Sequence, residues 1–338
     1  MDMKKIILIL ILLAGLTICS GCTNISGILP NITGAVNQTT PSPTPDVTTT
    51  VIETIEETPT PEPAQTPTTI TTVPTTVVTT NVVISKPESH GKLTVEFINV
   101  GQGDSEWIVS PSGETMLIDA GDDQDAKNIT SVIGNVSNIS IVVATHPHSD
   151  HIGGIQTILK SYTIGKFIDT GYNYNSAMYT SMIKTINAKN ITYTTVKTGD
   201  YISFDPDVNV SVLNPQKKFF TELNDNSIVL LMRYKNVSIL FTGDAGLNAE
   251  SQYAKNLKDV NILKVSHHGS TTGTGAFLLS QISPKDSIIS VGKNNYGHPD
   301  AATINKLKRD GSSIYRTDLN GTITFLSDGS TYSFTTSN

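Results

Sequence analysis

Thr145-His146-Pro147-His148-Ser149-Asp150-His151-Ile152-Gly153-Gly154 directly follows the apolar run Ile139-Ser140-Ile141-Val142-Val143-Ala144. A short apolar run closed by a cluster of imidazoles reads as a buried strand that delivers polar side chains to one edge of a sheet. Three of the chain's seven histidines fall in this stretch, and His267, His268 and His298 follow later apolar segments. In extended backbone, residues i and i+2 point the same way, so His146 and His148 can hold one divalent ion. Asp150 and His151 then reach past it toward a second. Gly153-Gly154 allow the next helix to start close to these groups. The bland alternative is a solvated histidine-rich loop, and three imidazoles with a carboxylate in six residues weigh against it.

Working outward, Phe241-Thr242-Gly243-Asp244 repeats the pattern of an apolar strand ending in glycine and a carboxylate. Strand-Gly-Asp alone is common turn chemistry. It gains weight from Leu263-Lys264-Val265-Ser266-His267-His268-Gly269-Ser270, one helix later, where a histidine pair again closes a strand. Asp119, ending Met116-Leu117-Ile118-Asp119-Ala120-Gly121, is a further strand-end carboxylate, suited to orienting a ligand histidine.

The periodicities predict strands over 93–100, 106–109, 115–118, 139–144, 164–168, 191–196, 208–213, 227–234, 237–241, 260–265, 287–291, 313–315 and 322–325. They predict helices over 124–133, 155–161, 176–187, 247–257 and 300–308, with Asp300 as an N-cap and Gly311 as a stop. Strands cluster at both ends and alternate with helices between, which predicts mixed α/β layers rather than a doubly wound parallel sheet. Gly101-Gln102-Gly103-Asp104 lacks the third glycine and the following helix of a dinucleotide site.

The N-terminal quarter reads differently. Met1-Asp2-Met3-Lys4-Lys5 precedes an apolar run from Ile6 to Ile18, shorter than a membrane span of ~20 residues, and then Cys19-Ser20-Gly21-Cys22. Residues 1–22 are therefore expected to be a signal peptide with a lipobox that leaves Cys22 lipid-modified; an uncleaved helical anchor is the alternative. Residues 23–90, rich in Thr and Pro, are expected to form a disordered stalk. Both cysteines lie in the leader, so any metal ligand in the domain must be His or carboxylate. The folded region, 91–338, is near neutral: between 92 and 334 the 20 Lys/Arg against 23 Asp/Glu give −3, much smaller than the −7 of the chain. Bulk-charge adhesion to nucleic acid is not indicated.

Together, Leu-Ile-Asp-Ala-Gly (117–121), His-Pro-His-Ser-Asp-His (146–151), Phe-Thr-Gly-Asp (241–244) and His-His-Gly-Ser (267–270) resemble the metallo-β-lactamase superfamily. Phe97-Ile98-Asn99-Val100-Gly101-Gln102-Gly103-Asp104-Ser105, Asn224-Asp225-Asn226-Ser227 and Ser290-Val291-Gly292-Lys293-Asn294-Asn295-Tyr296-Gly297-His298-Pro299 narrow this to the hydrolase domain of ComEC-type DNA-internalisation proteins. The resemblance implies a four-layer αββα sandwich and two divalent metal ions, Zn or Mn. It implies His146, His148, Asp150 and His151 as ligands, Asp244 as bridging carboxylate, and His268 as a second-metal ligand with His267 on the substrate; either histidine of the pair could fill the ligand role. No histidine lies between 152 and 243, where many superfamily members have another ligand. The expected reaction is hydrolysis of DNA or a related phosphodiester by a metal-activated water oriented by Asp150. Lys293 and Asn294 would hold phosphate oxygens, and His298 would protonate the leaving oxygen. Alternatives are a lactone, β-lactam or phosphocholine-ester hydrolase, or a non-catalytic binding module. The expected setting is extracellular, tethered by the lipid or helix anchor, with no obligate protein partner.

Overall fold

The computed structural model describes residues 91–338; the expected signal peptide, lipobox and stalk lie outside the described residues. The first half of the domain supplies β1 (Leu93–Phe97), β2 (Glu106–Val109), β3 (Thr115–Ile118), β4 (Asn138–Val143), β5 (Thr163–Asp169) and β6 (Thr192–Thr195). The second half supplies β7 (Tyr201–Asp205), β8 (Val208–Asn214), β9 (Val229–Tyr234), β10 (Val237–Phe241), β11 (Ile262–Lys264), β12 (Asp286–Ile289) and β13 (Ser313–Arg316). The chain then returns with β14 (Ile323–Ser327) and β15 (Tyr332–Thr336) beside β1.

Two mixed sheets result, ordered β15-β14-β1-β2-β3-β4-β5-β6 and β13-β12-β11-β10-β9-β8-β7. In each, antiparallel pairing gives way to parallel pairing, from β3 through β6 in one and from β10 through β13 in the other. The carboxyl ends of parallel strands share one edge of their sheet, which is where open α/β sheets gather ligand-binding groups.

Helices cover both outer faces. On the first sheet lie α1 (Ala126–Ile133), the single turn α2 (Ser149–Ile152), α3 (Ile155–Ser161) and α4 (Ala177–Ala188). Ile129, Ile158, Leu159 and Met182 bury against Leu117, Val142 and Phe167. On the second sheet lie α5 (Leu247–Tyr253), α6 (Ala276–Ile282) and α7 (Ala301–Arg309), with the single turn α8 (Thr317–Asn320) after β13. Ala249, Leu278, Ile282 and Leu307 there meet Val229, Leu231, Leu240 and Leu263. The inner faces of the sheets meet each other: Val95, Phe97 and Ile118 share a core with Leu230, Met232, Ile239 and Phe241, and the Phe97 and Phe241 rings stack at 6.1 Å. Strands covered on both faces must be apolar at successive positions, which is why β9 and β10 read as continuous hydrophobic runs. The domain is the expected αββα sandwich.

Asp300 caps α7 by accepting from Ala302 N at 2.7 Å, as expected. Strands β7 and β15 were not expected. Both are edge strands with one half-solvated face, so tertiary pairing rather than hydrophobic patterning makes them strands. The helix expected over 247–257 ends at Tyr253 and tightens into a 3₁₀ turn over Ala254–Asn256. No helix among the described residues is long and apolar enough to cross a membrane.

Candidate metal centre

Strand β4 runs straight into the histidine stretch, and the backbone then winds into α2. The two glycines that follow permit close packing. A Cβ on Gly154 would stand 2.3 Å from the Ala120 carbonyl oxygen, and one on Gly153 2.4 Å from Asp123 N. That approach brings the loop after β3 under the histidines. Asp119 is fully buried there and accepts three hydrogen bonds: Thr145 N at 2.7 Å, Thr145 Oγ1 at 2.6 Å and His151 Nδ1 at 2.7 Å. Because Thr145 Oγ1 donates to Asp119, it accepts from His146 Nδ1, 3.2 Å away. One carboxylate thus positions two imidazoles with their Nε2 atoms aimed into the site.

Asp244 arrives on the turn after β10 and meets both halves of the cluster. Its Oδ2 lies 3.8 Å from His146 Nε2 and 3.6 Å from His267 Nε2. Its Oδ1 lies 3.3 Å from His151 Nε2 and 3.8 Å from His268 Nε2. His148 Nδ1 stands 3.0 Å from His146 Nε2, a separation suited to two ligands of one ion at ~2.0–2.1 Å each. Asp150 Oδ2 faces His268 Nε2 at 3.2 Å and His151 Nε2 at 4.0 Å. His267 and His268 reach opposite oxygens of Asp244 although adjacent in sequence, because both adopt left-handed backbone, with φ of 50° and 52°. Such conformations are costly for non-glycine residues and are held by surrounding structure. Of the pair, His268 is buried against Asp150 and His151, whereas His267 is partly open to solvent.

These residues fit a divalent metal. Two buried atoms aimed at one another, His151 Nε2 and Asp244 Oδ1, have no hydrogen-bond partner. His146, His151 and Asp244 bring ligand atoms within 4.8 Å of one another, as do Asp150, His151 and His268. The donor set, imidazole nitrogen and carboxylate oxygen without thiolate, suits Zn or Mn. The electrostatics agree. Burial holds His146 well below the usual imidazole range, so its ring is neutral. His151 is driven the other way: burial opposes its charge, but the carboxylates of Asp244 and Asp119 push it well above the usual value. His268 is likewise raised to about 10 against burial, by Asp244 and Asp104. Burial would raise Asp150, but the hydrogen bond from His268 and the charge of His151 bring it to about 2. Imidazolium protons in the free site stand where cations would neutralise the same carboxylates, so metal binding displaces protons.

A cleft of about 620 Å³ opens beside the cluster, lined by His148, Leu223, Asn224, Asp244, Leu247 and His267 among others. A larger open groove, about 1050 Å³, runs over the outer helices and carries no histidine. His298 lies at the cluster's rim, its ring 5.4 Å from that of His267 and stacked on Tyr296. Burial, and then the neighbouring His267, lower its pKa. Lys293 is exposed on the same loop. The Asn294 side chain is engaged within that loop, donating to Gly292 O and His298 O and accepting from Tyr296 N and His298 N. Asn224 approaches His267 Nδ1 at 3.3 Å, and its Oδ1 is buried without a hydrogen-bond partner.

Sequence reasoning overlooked Thr145, Asp104 and Lys264. Lys264 carried a signal: a lysine inside Ile262-Leu263-Lys264-Val265 is a charge at a core position and demands a buried counter-charge.

Residues 98–293 match the family described as the metallo-beta-lactamase superfamily. ComE operon protein 3 of Bacillus subtilis is 28% identical over 253 residues, covering 68% of this chain and 32% of that protein. Recombination protein 2 of Haemophilus influenzae is 28% identical over 249 residues, covering 72% of this chain and 30% of that protein. The chain therefore spans about a third of the length of these curated relatives. Among solved structures, a metallo hydrolase from the archaeon Ignicoccus hospitalis is 17% identical with a TM-score of 0.47, covering 69% of this chain and 98% of its own. The family match covers more than half of the chain, and the four motifs that carry it converge on one buried cluster of histidines and carboxylates. The chain belongs to the metallo-beta-lactamase superfamily of metal-dependent hydrolases, and its relatives include competence protein ComA of Neisseria gonorrhoeae, 27% identical over 249 residues.

Proposed function

We propose that this hydrolase is a phosphodiesterase that cleaves DNA or a related phosphodiester outside the cell membrane. The observation that carries the reading is Asp244, whose two oxygens each face a separate pair of histidine nitrogens at 3.3–3.8 Å. His146, His148 and Asp244 would hold one ion, and Asp150, His151, His268 and Asp244 the other. Two bound ions supply an activated water and neutralise the non-bridging oxygens of a phosphodiester. The chain's own groups do the rest. Asp150, kept ionised, accepts a hydrogen bond from the attacking water and orients it. His267, at the mouth of the cleft, faces a substrate oxygen, and His298 beside it stands where the leaving oxygen takes a proton. The recombination and competence names of two relatives direct the choice toward DNA.

The test is hydrolysis of bis-p-nitrophenyl phosphate, single-stranded DNA and a lactone by the purified chain and by His148→Ala and Asp244→Ala. Both phosphodiesters are cleaved, the lactone is not, and each variant loses on the order of 10²-fold or more. Nuclease activity that survives both substitutions refutes the site; turnover of the lactone alone refutes the substrate class. One observation favours a second reading. The cleft is lined by Glu222 and Asp225 and by no Lys or Arg, which suits a cationic substituent such as phosphocholine. p-Nitrophenyl phosphorylcholine turned over in preference to DNA would select it.

A further inference from the structure

Asp104 closes the Gly101-Gln102-Gly103-Asp104 turn between β1 and β2, and its side chain is 2% exposed. The turn is threaded tightly: a Cβ on Gly103 would lie 2.5 Å from the Asp150 carbonyl oxygen, and one on Gly292 2.3 Å from the Gly101 carbonyl carbon. Asp104 N donates to Asp150 O at 3.1 Å and Asp104 O accepts from Gly121 N at 2.9 Å. Its carboxylate divides its oxygens. Oδ2 is paired at 2.7 Å with Nζ of Lys264, which is itself 1% exposed. Oδ1 lies 3.3 Å from His268 Nδ1 and, although buried, has no hydrogen-bond partner. His268 Nδ1 donates instead to Ser290 O at 3.0 Å.

A buried carboxylate oxygen without a partner is expensive unless something repays it. Ser290 O alone suffices to fix the tautomer of His268, so Asp104 is not needed for that. When a cation draws density from Nε2, the Nδ1–H becomes a stronger donor, and an adjacent carboxylate then gains most.

We propose that Asp104 and Lys264 form a positioning pair for the second metal ion: Asp104 Oδ1 stands ready to bond His268 Nδ1–H once Nε2 is ligated, and Lys264, bonded to Oδ2, holds that carboxylate in place. The inference rests on the reading of the histidine cluster as a metal centre. Nothing in it depends on which ester is cleaved.

The experiment measures metal stoichiometry and affinity by chelator competition with Zn²⁺ and Mn²⁺ on the whole chain, alongside thermal unfolding. Wild type, Asp104→Asn and the double variant Asp104→Asn/Lys264→Met are compared. A wild-type chain that binds no ion overturns the metal-centre reading itself and is recognised at that first step. With two ions bound by wild type, Asp104→Asn lowers the melting temperature because it strands Lys264. The double variant recovers the melting temperature, yet binds the second ion about 10–100-fold more weakly than wild type. Affinity that returns together with the melting temperature shows a purely structural ion pair and overturns the proposal. A crystal structure of the metal-loaded wild-type chain tests the same point without any variant. The His268 Nδ1 to Asp104 Oδ1 distance shortens to about 2.8 Å, and a distance no shorter than the present 3.3 Å overturns it.

Discussion

Asp119→Asn is the sharpest single test of how the metal centre is held. The substitution preserves shape and replaces one acceptor oxygen by an NH₂ donor. Thr145 N–H donates to Asp119 Oδ1 at 2.7 Å and cannot turn away, so the amide oxygen of the variant must stay there. The new NH₂ then faces Thr145 Oγ1 and His151 Nδ1, which sat 2.6 and 2.7 Å from the lost oxygen. To avoid donor meeting donor, the neutral ring of His151 that a metal ion requires keeps its proton on Nε2 rather than on Nδ1. Thr145 Oγ1, now an acceptor, turns its own hydrogen toward His146 Nδ1, which drives that proton to Nε2 as well. Both nitrogens that should carry lone pairs toward Asp244 become donors.

The folded chain loses one charge-assisted bond, about 1.5–3 kcal/mol. The metal positions lose more selectively: 10–100-fold in affinity, or about 1.4–2.8 kcal/mol, with both ions affected because both tautomers change. Chelator competition on the purified variant, with urea unfolding of its metal-free form, separates the two effects. Wild-type affinity for both ions in a chain whose stability has fallen would refute the tautomer argument and leave Asp119 as ordinary core scaffolding.

Further expectations concern the frame around the site. Burial pushes the Glu250 carboxyl up to about 7 from 4.5, against the backbone N–H groups of Gly275 and Thr274 that it accepts. The folded chain thus keeps a proton that the unfolded chain releases. Stability from this group is full below pH about 4.5 and falls by about 3 kcal/mol as pH rises through 7. Urea unfolding of wild type and Glu250→Gln at pH 4.5 and 8 should show their difference change by that amount, and a constant difference would sink the argument. Gly154→Ala keeps an acceptable φ of −75° but drives a methyl to 2.3 Å from the Ala120 carbonyl oxygen. It should cost about 1–3 kcal/mol and weaken metal binding together with stability. A variant as stable as wild type, by thermal unfolding, would show that the α2–α3 junction can move freely.

Much of the fold was legible because its central strands are buried on both faces. Such strands must be apolar throughout, and runs such as 139–144, 227–234 and 237–241 stand out in any reading of the chain. The edge strands β7 and β15 lacked that signal, since half of each faces water. The candidate ligand histidines were legible for a related reason. Imidazoles and carboxylates packed at strand ends have few purposes besides binding a cation, and their spacing is local. What the sequence by itself determined, then, was the strand ends, the residue types they carry and the caps and glycines that turn the chain there. Those are short-range matters of backbone sterics and hydrophobic period. Tertiary structure alone decided that His267 and His268 part toward opposite oxygens of Asp244, and that Asp104 meets Lys264 across 160 residues of sequence. Both depend on how closely the two sheets and their connecting loops approach one another. That approach is set by the packing of the whole sandwich core, which no local stretch of sequence encodes.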